Sequence, residues 1–178
     1  AAAPRAVSRA DLTPATVDLL DPNGLLSRTA RMWLDQQIHA ALGYLKVAGE
    51  VRVRVVDDAE MTRAHLKHLN LDSTTDVLTF DLADGRSSPR GDGVSGEPLD
   101  VDVLVCVDEA ARQAKSRGIA PERELLLYVV HAVLHCLGED DHDDAAFARM
   151  HAREDEILCA IGVGATFERA GSEGGGTC

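Results

Sequence analysis

The sequence predicts an α+β domain: a small mixed β-sheet covered by helices, with a buried central helix carrying a His-x-x-x-His pair. Three observations support this. Segments that alternate apolar and polar residues are interspersed with segments of helical period. The run Leu125, Leu126, Leu127, Tyr128, Val129, Val130, Val133, Leu134 and Leu137 leaves one helix almost no polar face, so that helix belongs inside. Finally, 178 residues with 45% hydrophobic and 27% charged content suit one ordinary globular domain.

Residues 1–14 hold little apolar content and are expected to be flexible. Residues 25–45 read as an amphipathic helix introduced by Asp21-Pro22-Asn23, with Leu26, Ala30, Trp33, Leu34, Ile38, Ala41 and Leu42 as its stripe. Residues 51–56 alternate strictly and predict a half-buried strand, valines inward and Arg52 and Arg54 outward. Asp57 or Asp58 caps a short helix through Met61, Ala64, His65 and His68, the two histidines being surface or packing residues. Residues 75–82 and 100–107 are further strands, separated by a Gly-, Ser- and Pro-rich stretch, 84–98, expected as a flexible loop. A helix over 109–117 stops at Gly118. The histidine helix follows, with Pro121 suited to its first turn and Glu122 and Glu124 favoured at the positive end of its dipole. Asp143 or Asp144 caps a last helix through Phe147, Met150, Ile157 and Leu158, and residues 165–178 form a glycine-rich flexible tail. The order of the strands in the sheet does not follow from the sequence.

The segment 130–142, Val-His-Ala-Val-Leu-His-Cys-Leu-Gly-Glu-Asp-Asp-His, is the most informative. Residues four apart share a helix face, so His131 and His135 aim two imidazoles at one point. Gly138 suits the left-handed conformation that ends a helix, and the chain beyond it brings His142 toward the same point. Burying an unpartnered polar group costs about 2–7 kcal/mol on apolar-transfer scales, and one metal ion on two imidazoles removes that cost. Histidines in apolar helices also bond backbone carbonyls, and the third histidine after a helix-ending glycine is what favours the metal. The expected set is one zinc ion on His131, His135 and His142, with a fourth position open as in catalytic rather than structural zinc sites. Residues 15–164 are accordingly expected to be a single metallohydrolase domain. A zinc peptidase of the H-E-x-x-H type has its general base beside the first histidine; here that residue is Ala132, which disfavours peptidase chemistry.

The net charge of −12 argues against nonspecific polyanion binding, so no DNA partner is expected. No apolar run approaches the ~20 residues that span a bilayer, and no secretory leader is apparent; the expectation is a cytoplasmic protein without a membrane partner. Cys106, Cys136, Cys159 and Cys178 lie far apart, which predicts reduced thiols rather than a disulfide framework or zinc ribbon.

These residues resemble the YbeY family of bacterial single-strand-specific metallo-endoribonucleases, also described as ribosomal RNA maturation factors. The family signature H-G-x-L-H-L-x-G-Y-D-H resembles residues 131–142. Its P-T-[DN]-V-L-S-F strand resembles Thr74-Thr75-Asp76-Val77-Leu78-Thr79-Phe80, and its next strand resembles residues 99–108; together the likeness spans residues 51–162. The resemblance implies hydrolytic cleavage of single-stranded RNA, maturation of the 3′ end of 16S ribosomal RNA, ribosome quality control, and zinc on three histidines. Its partners would be ribosomal RNA or ribosomal subunits.

Two departures stand out. The family's third histidine aligns with Asp141, and histidine arrives one residue later, at His142. Either the loop has gained a residue and His142 ligates, which the sequence reading prefers, or Asp141 does, since two histidines and a carboxylate also hold zinc. The family's arginine ahead of P-T-D aligns with Leu69, so it does not carry over; Arg63 or Lys67 would have to supply a cation nearby. Same-face pairs available for an RNA track are Arg52 with Arg54, Arg63 with Lys67, and Arg112 with Lys115. No general base is assigned; Glu139, Asp140 and Asp141 are the carboxylates nearest in sequence. The alternatives to a nuclease are a noncatalytic ribosome-assembly factor stapled by zinc, and a metallopeptidase.

Overall fold

The computed structural model describes residues 14–82 and 98–167. In order these form β1 (Thr16–Leu20), α1 (Arg28–Leu45), β2 (Gly49–Val56), α2 (Asp58–Leu69), β3 (Val77–Asp81), β4 (Leu99–Cys106), α3 (Val107–Arg117), α4 (Pro121–Cys136) and α5 (Asp144–Ala160). The four-stranded sheet has the order β1-β2-β4-β3. Neighbours β1, β2 and β4 are parallel, and β3 runs antiparallel to β4. This is the α+β arrangement with a mixed sheet that the sequence predicts.

Alternation decides the faces. Val51, Val53 and Val55 of β2 and Val101, Val103 and Val105 of β4 are fully buried on one side, under α1 and α4. Arg52 and Arg54 lie on the other. Arg52 pairs there with Glu50, Asp100 and Asp102, and Arg54 with Glu60. A second small cluster of Val56, Met61, Leu78 and Cys106 joins α2 to the ends of β3 and β4.

Helix boundaries follow local chemistry. Ser27 caps α1 through its hydroxyl, one turn after the expected start, because the Asp21 carboxylate instead accepts the N–H groups of Leu25 and Leu26 in a turn. Asp57 caps α2 by accepting from Glu60 N at 2.7 Å, and Asp143 caps α5 by accepting from Ala146 N at 2.7 Å. Pro121 occupies the first turn of α4, whose buried residues run from Glu124 to Cys136. This helix packs against α1, α3, α5, β3 and β4 and is the central helix of the prediction. Glu124, expected to complement the helix dipole, is fully buried and bonded to Arg117.

Three findings depart from the expectations. Strand β1 was not anticipated: it is an edge strand with Leu19 as its single buried residue. Ala165 and Thr166 are buried, and the Asp155 carboxylate accepts the N–H groups of Thr166 and Phe167, so packed chain continues past residue 164. Cys106 and Cys136 are buried free thiols as expected, whereas Cys159 is disulfide-bonded. The expected loop 84–98 and the expected flexible end segments fall almost entirely outside the described residues. No helix among the described residues is long and apolar enough to cross a membrane.

Candidate metal centre

The last turn of α4 and the chain beyond it build the site. Helix α4 is capped by Leu137, whose N–H bonds the carbonyls of Val133 and Leu134. Gly138 takes φ 94°, a left-handed value that reverses the chain, and Glu139 N then bonds Leu134 O at 3.0 Å. The reversal carries residues 139–142 back along the helix end.

His131 and His135, one turn apart, place their Nε2 atoms 3.0 Å from each other. Each Nδ1 faces an acceptor: His131 Nδ1–H donates to Glu154 Oε1 at 2.7 Å, and His135 Nδ1–H donates to the Glu139 carbonyl at 3.0 Å. Those acceptors select the tautomer protonated on Nδ1, which leaves both Nε2 lone pairs pointing at one another. Two lone pairs at that separation repel unless a cation or a proton lies between them. The Asp141 carboxylate closes the group, with Oδ2 3.8 Å from His131 Nε2 and Oδ1 3.7 Å from His135 Nε2. Two nitrogens held on one tetrahedral zinc at about 2.0–2.1 Å each stand about 3.3 Å apart, so movements of a few tenths of an ångström suffice. His131, His135 and Asp141 therefore fit a divalent cation in donor type, tautomer and spacing.

The expected third histidine is elsewhere. His142 is 86% exposed, and its Nδ1 lies 3.1 Å from Asp140 and 3.6 Å from Asp141. Asp140 Oδ1 accepts the N–H groups of both Asp141 and His142, a turn that fixes this stretch. One step along non-helical chain swings the side chain to the opposite side, so a carboxylate turned toward the imidazole pair puts the next ring in solvent. The structure thus joins His131 and His135 to Asp141 and leaves His142 in a second, exposed group with Asp140 and Asp141.

Glu154 is the functional residue that the sequence reading missed. Fully buried on α5, it bonds His131 Nδ1 through one oxygen and His151 Nδ1 through the other, both at 2.7 Å. A carboxylate behind a ligating histidine fixes ring orientation and raises its basicity. Burial works against a charge on His131, but the Glu154 hydrogen bond and the charges of Glu154, Asp141 and Asp76 outweigh it, and the pKa of His131 is raised above its ordinary value.

Beside these residues lies an open cleft of about 360 Å³ walled by Asp76, Arg117, Leu127, Tyr128, His131, Asp141, Phe147, His151, Glu154 and Phe167. His151 stacks on Phe167 with ring centroids 3.7 Å apart and meets Phe147 edge-on at 4.0 Å. A second hollow of about 450 Å³ along α5, around Ala152, Asp155 and Cys159, shares His151 and Phe167 with the cleft but contains none of His131, His135 and Asp141. Of the cations suggested from sequence, Arg52, Arg54 and Arg112 are paired with carboxylates, and Arg63, Lys67 and Lys115 are exposed on their helices. None of them lines the cleft.

The model of the family described as endoribonuclease YbeY matches residues 22–162. Among curated proteins, endoribonuclease YbeY of Macrococcus caseolyticus is 33% identical over 151 residues, covering 83% of this chain and 96% of its own. That of Moorella thermoacetica is 36% identical over 133 residues, covering 73% of this chain and 85% of its own. The solution structure of TM1509 from Thermotoga maritima superposes with a TM-score of 0.53 at 19% identity, covering 90% of this chain and 99% of that one, a likeness of fold. Matched along most of its length and over every element that builds the cluster of His131, His135 and Asp141, the chain belongs to the YbeY family.

Proposed function

We propose that the protein is a metal-dependent endoribonuclease that hydrolyses single-stranded RNA, with one zinc ion as its resident metal. In this reading it is cytoplasmic, acts on the 3′ end of 16S ribosomal RNA, and serves ribosome quality control. Residues 15–164, with the packed continuation through Phe167, are its metallohydrolase domain. The observation that carries the reading is the meeting of two Nε2 atoms and the Asp141 carboxylate at the wall of an open cleft. The name endoribonuclease borne by its relatives supplies the reaction class.

His131, His135 and Asp141 would hold the metal at the wall of the cleft. His142 is the alternative third ligand and would require the turn at Asp140 to reverse. A divalent ion bound there supplies Lewis acidity toward a phosphodiester and activates water for attack. The protein's own residues do the rest. Glu154 and the Glu139 carbonyl hold the two imidazoles in the ligating tautomer. Asp76 lines the cleft without a histidine partner and keeps its Oδ1 on the Thr75 hydroxyl and Val77 N–H, which makes it the carboxylate suited to accept a proton. Ala132, beside the first histidine, has no part in proton transfer.

The test is cleavage of single-stranded RNA and of casein by the wild type, by chelator-treated protein with and without added zinc, and by His135→Ala. The expected result is RNA cleavage alone, abolished by chelation, restored by zinc and absent in a folded His135→Ala. Undiminished RNA cleavage by His135→Ala with only a lower Tm would instead mean that the metal is a staple. Casein cleavage without RNA cleavage would make the protein a peptidase.

A further inference from the structure

An acidic protein that grips RNA needs a cation where the strand lies, because each phosphate carries a full negative charge. Among the described residues the cleft has three carboxylates, Asp76, Asp141 and Glu154, and Arg117 is its single Lys or Arg. Arg117 is held from two sides. Its Nη1 donates to both oxygens of fully buried Glu124, at 2.8 and 3.1 Å, and its guanidinium lies over the Phe167 ring, 5.0 Å from the centroid. Among the described residues, Nε and Nη2 have no hydrogen-bond partner, and the side chain is 31% exposed. A fixed, planar guanidinium with an unused edge matches two oxygens of a phosphate. The same wall has a second unused donor. Tyr128 is 5% exposed, and its hydroxyl is buried with no partner among the described residues, an arrangement that costs free energy until an acceptor arrives.

We propose that Arg117 and Tyr128 form a phosphate-binding subsite that grips the RNA backbone beside the metal centre. The proposal rests on the endoribonuclease reading and adds to it the groups that engage the strand. They come from the end of α3 and the middle of α4, so the subsite is built on rigid elements that also fix His131. Phe167, under the guanidinium and stacked on His151, ties the subsite to the Glu154 carboxylate that orients His131.

Tyr128→Phe is the cleanest variant, because it removes only the hydroxyl. If that hydroxyl is merely a buried, unsatisfied group, Tm rises or stays level and kinetics are unchanged. The subsite predicts a level or raised Tm together with a KM for single-stranded RNA raised about 10- to 150-fold, the effect of one hydrogen bond to a charged acceptor. For Arg117 the variant is Arg117→Gln with Glu124→Gln, which avoids stranding the buried carboxylate. The slope of log kcat/KM against log salt should become shallower by about 0.7, the signature of one phosphate contact on a single strand, with zinc content unchanged. Should that pair fail to fold, Arg117→Lys keeps a cation for Glu124 but loses the second edge, and KM again rises. Wild-type KM in both Tyr128→Phe and the Arg117 variant overturns the subsite while leaving the nuclease intact. A wild type that does not cleave RNA overturns the nuclease reading, and the subsite with it.

Discussion

Replacing Glu154 with glutamine would test the orienting role of the one carboxylate buried behind the metal group. Glu154 now accepts two short hydrogen bonds, one from His131 Nδ1–H and one from His151 Nδ1–H. Glutamine has the same shape but one acceptor oxygen, so one of the two rings must face an amide N–H₂. If His131 loses its acceptor, its proton is no longer held on Nδ1, and protonation at Nε2 competes with the metal for that lone pair. Loss of such a supporting carboxylate lowers metal affinity about 10- to 100-fold, or about 1.4–2.7 kcal/mol. The assay is zinc Kd by competition with a chromophoric chelator, with Tm of the metal-free proteins measured alongside to separate folding from ligation. A Kd within twofold of wild type, whether or not Tm falls, would refute the orienting role and reduce Glu154 to a packing residue.

Other consequences are independent. Asp76→Asn keeps the Oδ1 acceptor for Thr75 and Val77, so zinc Kd and Tm should stay level while kcat for RNA falls at least about tenfold; unchanged kcat removes Asp76 from proton transfer. Asp58 accepts two hydrogen bonds from Arg112 and others from Thr74 and Cys106, and the Arg112 bonds hold its pKa well below the usual carboxylate range despite partial burial. A depressed folded pKa gives stability that is present above the unfolded value of about 3.9 and lost as pH falls through the folded one, so Tm should drop on acidification. Asp58→Asn should flatten that drop, and parallel Tm curves for the two proteins would show that the pair adds no pH-dependent stability. Gly49 begins β2 at φ 109° with the Leu99 carbonyl oxygen 2.1 Å from where a Cβ would sit. Gly49→Ala should therefore cost at least about 2 kcal/mol in denaturant unfolding, and a loss under 0.5 kcal/mol would mean that the strand junction yields readily.

What was legible in the sequence tracks how local each determinant is. Strand β2 is visible because its alternation is strict and helix α4 because its apolar run is nearly continuous, and Asp57, Pro121, Asp143 and Gly138 mark ends by short-range chemistry. Strand β1 escaped because an edge strand with one buried residue needs almost no pattern. The imidazole pair was legible because one helical turn fixes it. The third member was not: helix spacing says nothing about a loop, and the choice between Asp141 and His142 turns on Asp140 accepting two consecutive N–H groups. Glu154 did leave a signal. It occupies the apolar stripe of α5 with Met150, Ile157 and Leu158, and a carboxylate on a buried stripe requires a partner. Arg117 and Glu124 pair across the α3–α4 junction, where either residue alone reads as an ordinary helix-end charge.

The most direct measurement is zinc bound per chain, by mass spectrometry after dialysis at micromolar protein, in the wild type, Asp141→Ala and His142→Ala. A centre made by His131, His135 and Asp141 predicts about one ion in the wild type and in His142→Ala, and loss of the ion in Asp141→Ala. Retention by Asp141→Ala with loss in His142→Ala would contradict it, and a metal-free wild type that cleaves RNA would end the metal-dependent account altogether.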